Sequence, residues 1–213
     1  MHHHSQNSPN LFDEAPGELT QDAFLCWIFK WLNVPDHPMN TAARRFAEGI
    51  LSKVGISVDW SEFERVDVRR QFRHIDVLVV FSFKMRPRMC LVIEDKINAR
   101  FSNDVEQYKR DAISQQESWS PLKGIDSQSM FTILIQSGFD YDLPAGENWA
   151  KFNWCDLWHW IQDVPVFESD ILRDWTAYQT RSFERIDCLC RLASDKIDDV
   201  LRKSSPKRLS DNK

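Results

Sequence analysis

The chain has 213 residues, 42% of them hydrophobic and 12% aromatic, which excludes a disordered protein and suits one well-packed domain with at most a helical appendage. No apolar run reaches the roughly 18 residues of a membrane span. The net charge of −5 is low for a phosphate-binding protein, yet the basic residues cluster at Arg65, Arg69, Arg70 and Arg73, at Lys84, Arg86 and Arg88, and at Lys203, Lys207 and Arg208.

Residues 1–16 are polar and proline-containing and read as a mobile leader. They lack the regions of a secretory signal, so a cytosolic protein is expected, and nothing beside His2, His3 and His4 completes a metal ligand set. From Leu19 the apolar positions keep helical spacing through Leu32, with Thr20 as a candidate cap and Asp22 suited to the positive end of the dipole. Prolines over 33–38 break this helix. A second one follows, with Ala42, Ala43, Phe46, Ala47, Ile50, Leu51 and Val54 on one stripe and an end near Gly55.

The period then changes. Residues 63–71, 75–83 and 89–97 read as strands, the last two joined by the basic loop 84–88 as a hairpin, although no Asn-Gly pair fixes its turn. A polar helix is expected over 104–116, with Asn103 and Glu106 in capping-box spacing, then a short strand over 131–135. Helices return at 154–161 and over about 167–201, the latter with an apolar stripe from Ile171 to Ile197. The last dozen residues read as a disordered tail. This order predicts an α/β fold, a mixed central sheet flanked by helices with a C-terminal helical extension.

The chemistry concentrates in the hairpin. Side chains alternate along a strand, so Glu94 and Lys96 share a face and Asp95 takes the other, where a hydrogen bond or salt bridge is expected to hold it. A hairpin centred on Arg86 sets Asp76 across from Lys96 and diagonal to Glu94, within roughly 5–8 Å of each other. A one-residue slip would undo this grouping. A structural salt bridge is the plainer reading, but it leaves one negative charge over among apolar neighbours, which a hard cation with oxygen ligands would relieve.

The segment Ile75-Asp76 followed by Leu-Val-Ile-Glu94-Asp95-Lys96 resembles the signature of the PD-(D/E)XK nuclease superfamily. Gly-Glu18-Leu-Thr-Gln-Asp22 resembles an upstream acidic motif of that superfamily, and Gln107-Tyr108 another recurrent feature; together they cover about residues 18–135. Ile75 replaces the signature proline. The resemblance implies a restriction-endonuclease-like core over 17–150; the helices over 151–201, which add nothing to the match, are expected to pack on it, and 202–213 to form the tail. It further implies metal-dependent hydrolysis of phosphodiester bonds, with DNA the usual substrate. Glu18, Asp76 and Glu94 would bind Mg²⁺ or Mn²⁺ together with the backbone carbonyl of Asp95. Lys96 would orient or help deprotonate the attacking water, and Gln107 would position Lys96, water or backbone.

Other readings stand beside this one. A nucleic-acid-binding module without turnover would keep the fold, but it would be free to lose Glu18, Asp76, Glu94 or Lys96, and all are present. An RNase, or a nuclease awaiting an activator, is not distinguished by any residue. His74 shares the face of Asp76, Glu62 and Glu64 are spare acidic candidates, and the nine tryptophans read as core. The five cysteines form no CxxC pair and read as reduced thiols packed as small hydrophobes. Homodimerisation is an expectation that rests only on the stripe of the last helix.

Overall fold

A computed structural model describes residues 17–97, 105–138, 149–163 and 169–204. The leader 1–16, Asn103 of the expected capping box and the tail beyond 204 lie outside the described residues.

Helix α1 (Gly17–Lys30) runs into a 3₁₀ turn, Trp31–Asn33. Phe24, Leu25, Ile28, Phe29 and Leu32 are all buried, a stripe of helical period that seats α1 on the sheet. Helical backbone is already present at Gly17, so Thr20 lies inside the helix and does not cap it. Helix α2 (Pro38–Lys53) starts with His37, whose Nδ1 accepts from the Met39 amide at 3.1 Å, and with Pro38, whose missing N–H costs nothing there. It closes at Gly55, where φ of +74° lets the Ile56 amide return to the Leu51 carbonyl.

Strands β1 (Phe63–Phe72), β2 (Ile75–Phe83), β3 (Met89–Lys96), β4 (Met130–Gln136) and β5 (Ala150–Asn153) form one sheet in chain order. The first three are antiparallel and the last three parallel, so the sheet is mixed. Phe81 pairs with Met89 and Val77 with Ile93, which centres the hairpin on Met85 and not on Arg86. Continued by one pair, this register sets Asp76 opposite Glu94 and diagonal to Lys96, a two-residue shift that preserves the shared face. The loop has no tight turn to fix symmetry; its arginines reach other segments, Arg88 to the Pro121 and Lys123 carbonyls and Arg86 to that of Ser57.

Helices cover both faces. Val77, Val79, Phe81, Leu91 and Ile93 meet α1, α2, helix α4 (Trp154–Asp163) and the start of helix α5 (Asp170–Ser204). Leu78, Val80, Val92 and Leu134 meet Tyr108 and Ala112 of helix α3 (Val105–Ser114). Trp175 of α5 stacks on Phe24 of α1 at 3.8 Å between centroids, tying the last helix to the first. The second half of α5 differs: Leu189, Leu192 and Ile197 are exposed. Helix persists to Ser204, three residues into the expected tail. Cys26 and Cys90 are buried as expected, whereas Cys155, Cys188 and Cys190 are exposed and pack against no core. No described helix is long and apolar enough to cross a membrane.

Candidate active site

The site forms where β2 begins and β3 ends, on the face covered by α3. Alternation along β3 directs Val92, Glu94 and Lys96 to that face and Leu91, Ile93 and Asp95 to the other. Lys96 Nζ lies 2.9 Å from Glu94 Oε1 and 3.8 Å from Asp76 Oδ2, and it donates to the Asp95 carbonyl at 3.1 Å. The Asp95 amide donates to Asp76 Oδ2 at 2.9 Å, so backbone and side chains of the same strand end hold the Asp76 carboxylate. Tyr108 of α3 hydrogen-bonds Glu94 from above.

A third carboxylate joins from α1. Asp22 is 1% exposed and accepts from Gln71 Nε2 at 2.6 Å; the same nitrogen lies 3.5 Å from Asp76 Oδ1. Burial, then the charge of Asp76, pushes the Asp22 carboxyl up to about 6. Burial, then the same Asp76 charge, raises Glu94 to about 7 against the opposing pull of Lys96 and Tyr108. Asp22 Oδ1 and Glu94 Oε2 are buried without a hydrogen-bond partner. Two carboxylates therefore meet one lysine and a third, Asp22, stands beside Asp76, with buried oxygens left over.

That donor set tests the idea of a metal. It is all oxygen, it carries surplus negative charge, and its unbonded oxygens are buried, which suits a hard divalent cation such as Mg²⁺ or Mn²⁺. Among the described residues, however, no three His, Cys, Asp or Glu side chains are grouped so that they could hold a metal ion by themselves.

The expected residues fall in different places. Asp76, Glu94 and Lys96 come together. Glu18 occupies the first turn of α1, four positions before Asp22, and its side chain lies outside the described residues. Gln107 is exposed on α3, and its amide is engaged away from Lys96: it donates to both oxygens of Asp111 at 2.9 and 2.8 Å and accepts from Arg110. Asp111 also meets His74 Nε2 at 2.5 Å. Burial works against ionisation of Asp111, but the bonds from Gln107 and His74 outweigh it and hold the carboxyl below its usual range. Glu62 and Glu64 lie at the opposite end of β1 from Gln71.

Asp95 points to the other face, fully buried, where Gln21 Nε2 donates to its Oδ1 at 2.7 Å. Gln21 Oε1 accepts in turn from Ser137 Oγ at 2.9 Å and Gln179 Nε2 at 3.2 Å. The far-face hydrogen bond expected for Asp95 is therefore present. Sequence reasoning gave Asp22 first a helix-end role, with a contribution to the site as the lesser reading, and passed over Gln71. The one signal available was the four-residue spacing of Glu18 and Asp22.

The sequence model of a family in the PD-(D/E)XK nuclease superfamily matches residues 10–168, well over half of the chain. No curated protein and no solved structure gives a match. The chain belongs to the PD-(D/E)XK nuclease superfamily, and its restriction-endonuclease-like α/β fold is that of a nuclease-type phosphodiesterase.

Proposed function

For a member of this superfamily with this cluster, we propose a metal-dependent nuclease that hydrolyses phosphodiester bonds, most naturally a DNA endonuclease. The observation that carries the reading is the meeting of Asp76 and Glu94 on Lys96, with the buried Asp22 carboxylate joined to Asp76 through Gln71. Asp76, Glu94 and the Asp95 carbonyl are the groups to hold the cation, with Glu18 and Asp22 approaching from α1. When bound, Mg²⁺ or Mn²⁺ supplies charge stabilisation at the phosphate and lowers the pKa of the attacking water.

The chain's own groups do the rest. Lys96 is a compact charge on a flexible stem, already among the site oxygens, and it meets the negative charge developing on the phosphate and orients the water. Exposed Arg70 lies near Asp22, and exposed Arg73 and Arg110 lie near the Asp111–Gln107 pair of α3, where they can hold flanking phosphates. The exposed Leu189, Leu192 and Ile197 of α5 extend the proposal to contact with a second copy; one monomeric species in sedimentation at micromolar concentration counts against that part.

The test is a substrate panel of supercoiled plasmid, linear duplex, single-stranded DNA and RNA with Mg²⁺, Mn²⁺ or EDTA, beside Lys96→Ala. Cleavage that needs metal and vanishes in the variant is expected, with DNA cut best. A protein that cuts none of the four in any metal is not the nuclease proposed.

A further inference from the structure

Gln71 occupies β1 between the ladder pairs Arg70 with Val77 and Phe72 with Ile75, and so faces Asp76. Its backbone has φ of +52°, the left-handed region, which a side chain makes costly and which glycine or asparagine takes up with less strain. Strained residues of this kind persist where their surroundings hold them, and they gather at functional sites. Here the side chain spans two elements: one amide nitrogen donates to Asp22 Oδ2 of α1 at 2.6 Å and reaches Asp76 Oδ1 of β2 at 3.5 Å.

The residue type matters as much as the place. A lysine or arginine between two carboxylates would neutralise them and occupy the ground of a cation. A glutamine amide is a neutral donor, so it can fix the carboxylates while leaving their negative charge in place. We propose that Gln71 is a positioning residue whose left-handed backbone aims one amide at Asp22 and Asp76, holding carboxylates of two elements in place for a divalent cation. The inference rests on the nuclease reading of the site.

Gln71→Gly and Gln71→Asn test it, because both new residues suit the backbone and neither carries the amide as far. The melting temperature should hold or rise by a few degrees. The Mn²⁺ dissociation constant from calorimetry should weaken about 10–100-fold, the loss seen when a partner of a metal ligand is removed. Cleavage should lose kcat with KM for the nucleic acid unchanged, since the amide touches no substrate. Mn²⁺ affinity as in the wild type in both variants, while Asp76→Asn abolishes it, would overturn the role of Gln71 and leave the nuclease reading standing. Affinity and melting temperature falling together in both variants would reduce Gln71 to a turn residue and overturn it too. A wild-type chain with no saturable Mn²⁺ binding would remove the nuclease reading and this inference with it.

Discussion

Glu94 and Asp95 are adjacent in β3, equally out of water, and provided for in opposite ways. Asp95, on the face toward α1, meets an amide donor that is itself braced by a hydroxyl and a second amide. Glu94, on the face toward α3, meets Lys96 and Tyr108 but shares its space with the Asp76 carboxylate, whose charge helps to raise it to about 7. Burial is therefore not what marks the working face. A buried carboxylate crowded by a second carboxylate favours added positive charge in a way that one facing an amide donor does not. The Asp95 residue joins the two faces: its side chain anchors behind the sheet while its amide and carbonyl hold Asp76 and Lys96 in front.

If the faces divide the labour in this way, substitutions in front should remove activity and substitutions behind should remove stability. Lys96→Ala carries the largest expected effect, a loss of cleavage on the order of a thousandfold or more with the melting temperature within a few degrees of wild type. The fold survives because Glu94, already raised to about 7, can take a proton when its cation partner is gone. Asp95→Leu should do the reverse. It leaves the Gln21 amide unpaired among apolar side chains, costing about 2–3 kcal/mol, or roughly 5–10 °C of melting temperature, with most of the activity kept below that transition. A variant at Asp95 that melts like wild type and cuts nothing would erase the distinction between the faces.

The front face should also carry a pH signature. Asp22 and Glu94 have folded-state pKa values raised to about 6 and about 7, so the folded chain binds protons that the unfolded chain releases. Their contribution to stability is fully present below the unfolded carboxylate range and is lost as pH rises through about 6 to 7. In EDTA the melting temperature should fall between about pH 5.5 and pH 8, and Mn²⁺ should restore most at the upper end. Glu94→Gln should flatten that slope. A slope unchanged by the substitution would mean that the front face is not where the protons are held.

Much of this front face was legible in the sequence, and little of the rear was. The Glu-x-Lys pair stood out because two charges close an apolar strand, and alternation alone put Asp76, Glu94 and Lys96 on one face. Register failed by two residues because loop 84–88 has no turn signature and its arginines anchor elsewhere. Strand β5 escaped because four residues with one buried position carry no period. Asp22 was ambiguous, since an acidic residue near a helix start is what the dipole favours in any protein. Gln71 left no mark, because left-handed backbone in a non-glycine residue is decided by tertiary contacts. The Gln21, Ser137 and Gln179 hub joins residues more than a hundred positions apart.

The smallest effect concerns whether the two layers are independent at all. Cys90 lies in the apolar cluster on the α3 face and Cys26 in the cluster on the other, each buried, with burial pushing the thiols up to about 12 and about 11. Cys155, Cys188 and Cys190 are exposed. An aromatic disulfide reagent at neutral pH should therefore titrate three thiols quickly and leave two, because the thiolate is the reactive form and both access and ionisation are denied to the buried pair. Added denaturant should release Cys26 and Cys90 at one midpoint, because both layers pack on the same five-stranded sheet and neither has a core without it. Earlier release of Cys90, followed by mass spectrometry of the labelled peptides, would mean that the α3 layer opens by itself. The carboxylates would then be held chiefly by β3 and α1, and the rear network of Asp95 and Gln21 would matter more to the site than α3 does.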